Sequence, residues 1–96
     1  MYEIKPYTYK KAKELDLIVF PAENKKNKLQ VYSSNGLFLH NIGDIKYYDF
    51  PAYLQMENNG IVPKGYAETR RKLYHKRHNK QYEKNSKGYL AKELLW

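Results

Sequence analysis

The last third of the chain concentrates the residues that could do chemistry. From Lys64 onward the sequence holds ten Lys or Arg residues against three Glu residues, whereas residues 1–63 hold eight cations against seven acids. Nearly all of the formal net charge of +8 therefore comes from this end. Such a one-sided balance favours a polyanionic partner, because clustered cations attract phosphates and carboxylates. The residues that carry this prediction are Arg70, Arg71, Lys72, His75, Lys76, Arg77, His78 and Lys80.

Three features of these eight residues, which we call the basic row, favour contact with nucleic acid. The charges have one sign instead of alternating, and a tyrosine and two histidine rings are interleaved with the cations. Guanidinium groups stand at Arg70, Arg71 and Arg77, where their forked donors suit phosphate oxygens. We therefore expect contacts to the phosphate backbone of DNA or RNA, with tyrosine rings as stacking surfaces and without readout of base sequence.

Two other interpretations of the basic row stay open. Arginine side chains on the inner stripe of the helix, above all Arg70 and Arg77, could pair internally with Asp44, Asp49 or Glu57. The row could instead recognise an acidic protein surface, because charge alone does not distinguish one polyanion from another.

The histidines invite a metal interpretation that the rest of the sequence does not support. His75 and His78 lie three residues apart, a spacing that puts two side chains on one helical face. Further ligands would have to come from His40 or a carboxylate, and the chain has no Cys and no HExxH motif. No nucleophile, pair of carboxylates or cofactor loop marks an enzyme either. We expect a binding protein without metal or cofactor.

The elements that position the basic row must come from one domain, because 96 residues support a single modest core. We predict an α+β fold, with a small antiparallel or mixed sheet of three to four strands. Residues 1–63 would form the mixed α/β part, and residues 64–96 would form the basic helical part.

The first third predicts two strands, a helix and a loop. Residues 2–5 are expected to form a strand that Pro6 ends, and Thr8 is expected to cap a short helix. The apolar run 17–20 predicts an inner strand, because its residues have no polar alternation. Residues 23–28 are polar and predict a surface loop.

Asn35-Gly36 predicts a β-hairpin, because both residues tolerate the positive φ angles of a type I′ turn. A two-residue loop would pair Ser34 with Leu37. Alternation from that pair assigns a set of residues to the core face. The set is Leu29, Val31, Phe38, His40 and Ile42, and we expect His40 to be a partly buried histidine without a catalytic role.

Three helices are predicted in the second half. Asp49 ahead of Pro51 favours a helix over residues 51–58, which Asn59-Gly60 would stop. Residues 67 to about 84 contain no helix breaker and predict the long basic helix that carries the row. Asn85-Ser86 can cap a terminal helix over residues 87–95.

The terminal helix is too apolar to stay in solvent. It would either close the core of its own domain, which we favour, or dock on a neighbouring subunit as an interaction anchor and make the protein a homo-oligomer. The anchor residues would be Tyr89, Leu95 and Trp96.

Composition adds expectations about the compartment. The absence of cysteine excludes disulfides and fits a reducing environment. The first residues lack an apolar run of signal-peptide length, and no stretch of about 18 apolar residues occurs. We expect a soluble intracellular protein that has no contact with a membrane.

The C-terminal residues contain RRxLYxxRH at residues 70–78, GYxA from residue 88 and a closing LW. These motifs resemble the C-terminal end of a family of small basic proteins of large DNA viruses of algae and amoebae and of some bacteriophages. The opening YxIKPYxYxKAxEL and the later YDFPxY are also similar to that family. The order Lys92-Glu93 departs from the acid-Lys order of the family. The resemblance implies a viral or phage origin, and hence an infected host cell or a virion as the location.

The same resemblance implies a context for the basic row, since viral genomes and transcripts are abundant polyanions. We therefore expect a viral protein that binds nucleic acid without catalysis. A structural or assembly protein of a virion, using the basic helix and Trp96 for protein contacts, is the alternative.

Overall fold

The computed structural model describes all of residues 1–96 and confirms the α+β fold. Its elements are helix α1 (Pro6–Glu14), strands β1 (Leu17–Pro21), β2 (Asn27–Ser33) and β3 (Phe38–Asp44), and helices α2 (Phe50–Asn58), α3 (Tyr66–Arg77) and α4 (Lys87–Leu95). The three strands form one antiparallel sheet in the order β1-β2-β3. The apolar run of β1 thus lies at a sheet edge, and the prediction of an inner strand is wrong, because Ile18 and Phe20 face solvent.

The N-terminal segment differs from the prediction. Residues 2–5 form no strand, and α1 begins at Pro6 with Lys5 in the N-cap position. Proline favours this start because its fixed φ suits the first helical position and its missing N–H is not needed there. Thr8 is therefore no cap but a buried residue of the first turn, and its hydroxyl donates to the Leu94 carbonyl at 2.9 Å. This bond ties α1 to α4.

The hairpin between β2 and β3 forms at the predicted place with a different turn. Gly36 has a φ of +89°, but Asn35 does not adopt a positive φ, so the type I′ turn is wrong. The Ser33 amide donates to the Leu37 carbonyl at 2.8 Å, and the Gly36 amide donates to the Ser33 carbonyl at 2.9 Å. This three-residue loop is the other common hairpin connection, in which a type I turn precedes a left-handed glycine.

A β-bulge then changes which residues of β3 face the core. Val31 pairs with His40, whereas Tyr32 pairs with Phe38, so Leu39 is the extra residue. Leu29 and Ile42 still pair and are buried as predicted. Phe38, expected in the core, is 49% exposed and packs edge-to-face on Tyr32 at 5.5 Å. One added residue reverses the face of a strand because side chains alternate with period two.

The core lies where α1 and α4 cover the sheet. Its fully buried side chains are Leu29, Val31, Leu90, Leu94 and Leu95. Each buried leucine contributes about 1.5–3 kcal/mol of transfer free energy. Ser86 caps α4 as predicted by accepting from the Tyr89 amide at 3.3 Å. The terminal helix therefore closes the core of its own domain, which confirms the favoured prediction.

One buried ion pair stands at the start of α2. The Lys28 ammonium lies 2.8 Å from the Asp49 carboxylate, and both side chains are at most 5% exposed. Tyr2 donates to the same carboxylate oxygen at 2.7 Å. Asp49 also caps α2 as predicted, accepting from the Ala52 amide at 2.9 Å. Lys28 was expected in a surface loop; it lies in β2 because its carboxylate partner stabilises a buried cation.

Helix α3 is shorter than predicted and ends at Arg77 instead of near residue 84. It packs on α2, and the Ala67 amide donates to the Glu57 carboxylate at 2.6 Å. Ala67 is the one fully buried residue of α3. Extension beyond residue 77 would bury no further apolar side chain, and protein helices depend mainly on tertiary packing for stability.

Candidate nucleic-acid interface

The structure divides the basic row into three groups, because α3 ends early and its residues point in different directions. Arg70 and Arg77, two helical turns apart, line a cleft between α3 and the β3–α2 connection. Lys72 and Lys76 are exposed on the helix. Lys80 lies beyond the helix end. The predicted row along one helix is therefore wrong where it reaches Lys80, which lies outside α3.

The cleft is the largest of the concave sites, with a volume of about 700 Å³. Aromatic side chains and cations from β2, the β3–α2 connection, α2, α3 and the residue after α4 face it. Its lining includes Lys28, Asp44, Lys46, Tyr47, Tyr48, Tyr53, Arg70, Tyr74, Arg77, His78, Leu95 and Trp96. Lys28 is already paired with Asp49. Lys46, Arg70 and Arg77 thus face a single carboxylate, that of Asp44, and leave the cleft with an excess of positive charge.

Arg70 is the most constrained cation of the cleft. Its guanidinium lies 5.7 Å from the centre of the Tyr53 ring. Its Nε atom is buried and has no hydrogen-bond partner. An unpaired buried donor costs free energy, on the order of 1–3 kcal/mol. Arg70 forms no ion pair, and its terminal guanidinium nitrogens, unlike Nε, are not buried, so they can donate to a ligand in the cleft.

Internal pairing does not account for Arg70 and Arg77, because neither forms an ion pair. The three acids considered as partners have other hydrogen-bond donors: Asp44 accepts from the Lys46 amide, Asp49 from Lys28, and Glu57 from the Ala67 amide. The one arginine with an acidic neighbour is Arg71, whose guanidinium lies 3.8 Å from Glu68. Such exposed pairs contribute at most about 1 kcal/mol.

One wall of the cleft is a stack of three rings. Tyr74 stacks on Trp96 at 4.4 Å with an angle of 4° between the planes. It also stacks on His78 at 4.3 Å and 24°. Burial raises the pKa of the Tyr74 hydroxyl above its ordinary value. The stack fixes the C-terminal side of α3 against α4.

The stack overturns the predicted interaction anchor. Trp96 is half-buried against Tyr74, Leu95 is 2% exposed, and Tyr89 packs against the core. These three side chains stabilise their own domain, because the loop after α3 brings α4 back onto the sheet. They leave no apolar tail free to insert into a neighbour.

The histidines also have separate structural neighbours. His75 Nε2 lies 3.4 Å from the Trp96 carbonyl oxygen, and His78 Nδ1 lies 3.4 Å from the Tyr82 hydroxyl. No three His, Cys, Asp or Glu side chains come together as metal ligands would. The remaining side chain on this flank, Arg71, lies 4.8 Å from the centre of the Phe50 ring.

Sequence reasoning missed three residues that the connection between β3 and α2 contributes to the cleft, Lys46, Tyr47 and Tyr48. Tyr47 is 70% exposed and Tyr48 is 59% exposed, both on the connection between β3 and α2. This connection is held at its start, where the Ile45 amide donates to Lys26 and the Tyr47 amide donates to Asp44. Adjacent tyrosines between Lys46 and Asp49 were the signal that could have found them, since exposed aromatics in a polar segment favour binding.

A second exposed aromatic group lies on the sheet. The rings of Phe20, Tyr32 and Phe38 pack edge-to-face across the three strands, with centroids 5.7 and 5.5 Å apart. Ile18 and Leu37 are exposed as well. This sheet patch, formed by these five residues, is the main apolar surface that the fold leaves open.

No helix of the protein combines the length and apolarity that crossing a membrane requires. The resemblance of the C-terminal residues to a viral family stays a prediction, since nothing in the fold tests it. Comparison of the chain with protein-family models, with curated proteins and with solved structures gives no significant match.

Proposed function

We propose that this protein binds nucleic acid through its phosphate groups and catalyses no reaction. The observation that carries the proposal is the set of unpaired cations at the cleft: Arg70 lines it without an ion-pair partner, and so does Arg77, two turns further along the same helix. Phosphate oxygens suit these forked donors. Lys72 and Lys76 extend the positive charge to the exposed side of α3.

Charge around the cleft also favours a polyanion over a neutral ligand. Ten cations against three glutamates follow residue 63, and none of those glutamates lines the cleft. A strand of nucleic acid that neutralises these cations releases condensed counterions, so its affinity falls as the salt concentration rises.

Fluorescence anisotropy with a labelled oligonucleotide tests the proposal. The native chain is titrated between about 50 and 200 mM salt and compared with an Arg70→Gln, Arg77→Gln variant. We expect weaker binding by the variant and a slope of log affinity against log salt that is smaller by about two, one for each lost phosphate contact.

A matched control removes two cations from another surface. Lys10→Gln, Lys13→Gln changes the net charge by the same amount on the exposed side of α1. We expect it to keep most of the affinity and the slope. The proposal is wrong if the native chain binds no oligonucleotide at the lowest salt concentration, or if the control loses as much affinity as the cleft variant.

The resemblance of residues 70–96 to a viral family supports a proposal about the context. We propose a viral or phage origin, with the nucleic acid found in the infected cell or the virion. Detection of the chain in purified particles, or in infected cells alone, distinguishes these locations.

A second candidate function is self-assembly through the sheet patch. The sheet patch exposes Ile18, Phe20, Leu37 and Phe38, which favours contact with an equally apolar surface, and homo-oligomers commonly use such faces. Sedimentation of the native chain beside a Phe20→Ser, Phe38→Ser variant tests it. A native chain that sediments as a monomer at all concentrations excludes this candidate.

A further inference from the structure

The free aromatic faces of the cleft are those of Tyr47 and Tyr48. Tyr74 already stacks on two rings, and Tyr53 contacts three rings and the guanidinium of Arg70. Tyr48 contacts one ring, and Tyr47 contacts none. Both side chains are more than half exposed. They can therefore accept a flat ligand without any rearrangement of the core.

The connection that carries these two tyrosines is anchored at both ends. The Lys46 amide donates to the Asp44 carboxylate at 2.9 Å, and the Tyr47 amide donates to the Asp44 carbonyl at 3.2 Å. Asp49 then caps α2 and pairs with Lys28. Ordering costs on binding fall when the binding segment is already fixed. The tyrosines are thus held beside the cations before any ligand arrives.

Cations from two elements line the same cleft as these rings. Arg70 and Arg77 come from α3, whereas Lys46 precedes the tyrosines on their own connection. Asp44, the one carboxylate of the lining, already accepts from the Lys46 amide. The cleft therefore combines anion donors with flat apolar faces, which matches a phosphate joined to a planar base.

Stacking in the cleft favours an unpaired base over a base in a duplex. Its volume of about 700 Å³ lies in the range of sites that enclose small ligands. In a duplex each base face is covered by the neighbouring bases, so a tyrosine cannot stack on it unless the base leaves the helix. Bases of a single strand are free to stack on aromatic side chains.

We propose that the cleft receives an unpaired nucleotide of a single-stranded nucleic acid. Its base stacks on Tyr47 or Tyr48, and phosphates of the same strand accept from Arg70 and Arg77. The inference rests on the proposed function and narrows it from polyanions in general to unpaired strands.

Three labelled probes of equal length test the inference on the native chain. They are a single-stranded oligonucleotide, the same strand with abasic positions throughout, and a blunt duplex. The abasic strand keeps the phosphates and loses the stacking surfaces. We expect the single strand to bind about tenfold or more tightly than the abasic strand, because stacking of each base on an aromatic side chain contributes substantially to such affinities.

Two variants test whether Tyr47 and Tyr48 cause the preference for the single strand over the abasic strand. Tyr47→Ala, Tyr48→Ala is expected to bind the single strand and the abasic strand alike, with an unchanged salt slope. Tyr47→Phe, Tyr48→Phe keeps the rings and is expected to retain the preference. Tyr9→Ala is the control, because it removes an exposed tyrosine outside the cleft. Circular dichroism of each variant verifies the native fold.

The outcomes separate the two proposals. If the native chain binds all three probes equally and with a salt dependence, the inference is overturned while nucleic-acid binding stands. If it binds none of them at the lowest salt concentration, both are overturned. A preference for the single strand that survives in Tyr47→Ala, Tyr48→Ala places the stacking surface elsewhere and also overturns the inference.

Discussion

Two regions of this small protein differ in how they hold a buried or half-buried cation: one pairs it with a carboxylate, and the other leaves it unpaired. At the start of α2, Lys28 is buried and lies 2.8 Å from the Asp49 carboxylate, which Tyr2 and the Ala52 amide also contact. In the cleft, Arg70 has a buried Nε without an acceptor. The first region is complete within the chain. The second leaves a guanidinium without an ion-pair partner beside an open cleft, where another molecule can bind it.

This difference helps to distinguish charged side chains that stabilise the fold from charged side chains that bind a ligand. Burying a charge costs several kcal/mol unless a partner compensates for it, so a closed ion pair reports on the fold. An incompletely paired arginine beside a cleft is retained at a cost to stability. That cost is understandable if the side chain serves binding, and it makes opposite predictions for stability and affinity in the two regions.

The largest expected effect comes from breaking the closed pair. Lys28→Met leaves the Asp49 carboxylate buried beside Tyr2 without its cation. We expect a loss of about 3–5 kcal/mol in the free energy of unfolding, because removal of one partner of a buried pair leaves an uncompensated charge. Urea denaturation followed by circular dichroism measures it.

A double variant identifies the cause of that loss. Lys28→Met, Asp49→Asn removes both charges and keeps an amide oxygen that can cap α2. We expect it to recover part of the stability. A double variant as unstable as Lys28→Met alone would show that packing of the lysine stem, and not the unpaired carboxylate, determines the loss.

The next effect concerns Gly43, which separates the two regions. A Cβ atom there would lie 2.8 Å from Leu95 Cδ1 and 3.1 Å from Lys28 Cδ, and the residue has a φ of +78°. Gly36 also has a positive φ but no heavy atom within 4 Å of an added Cβ. We expect Gly36→Ala to cost about 1–2 kcal/mol for the left-handed backbone.

Gly43→Ala is expected to cost more than Gly36→Ala by about 1–3 kcal/mol, the usual penalty of overpacking. Urea denaturation of both variants side by side measures the difference. Equal losses of unfolding free energy would mean that the Leu95 side chain moves aside without a cost and that packing beside Gly43 is not tight.

A smaller effect tests the Tyr2 contact of the closed pair. Burial, and after it the charge of Asp49, raises the pKa of the Tyr2 hydroxyl well above its ordinary value of 10.0. Above pH 10.0 the unfolded chain releases the Tyr2 proton, whereas the folded chain keeps it because its pKa is raised. The unfolded state then binds fewer protons, so stability falls as the pH rises.

Tyr2→Phe is expected to cost about 1 kcal/mol at neutral pH through the lost hydrogen bond. It should also reduce the fall in stability above pH 10.0, measured by urea denaturation along an alkaline pH series. Tyr9→Phe, an exposed position, is the control and should follow the native chain. Identical alkaline curves for Tyr2→Phe and the native chain would contradict this prediction.

Local signals in the sequence predicted much of the fold. Asp49 before Pro51 and Ser86 each act through an amide three residues away, so their helix starts can be predicted from neighbouring residues. The hairpin at Asn35-Gly36 was also found, since its turn residues are adjacent. The bulge at Leu39 was not, because nothing in the local pattern specifies one extra residue in a strand.

The sequence could not predict contacts between distant residues. Lys28 and Asp49 are 21 positions apart in the sequence. Without knowledge of that distant carboxylate, a lysine next to Leu29 is predicted to be exposed. The same limit applies to the cleft. The basic row identified Arg70 and Arg77, whereas Tyr47 and Tyr48 reach the cleft only through the fold of the β3–α2 connection.

The smallest expected change in stability belongs to the open region. Arg70→Met keeps an unbranched stem beside Tyr53 and removes the buried Nε that has no acceptor. Loss of the cation–π contact costs about 0.5–1 kcal/mol, and removal of the unsatisfied donor returns a similar amount. We expect the free energy of unfolding to change by less than about 1 kcal/mol.

Oligonucleotide affinity should nevertheless fall in Arg70→Met, because one phosphate contact is lost. Urea denaturation and anisotropy on the same preparation measure both quantities. We expect Lys28→Met to lower the free energy of unfolding, whereas Arg70→Met should mainly lower the affinity for the oligonucleotide. An Arg70→Met variant that loses stability and keeps its affinity would assign Arg70 to the fold and remove the basis for treating the two regions as different.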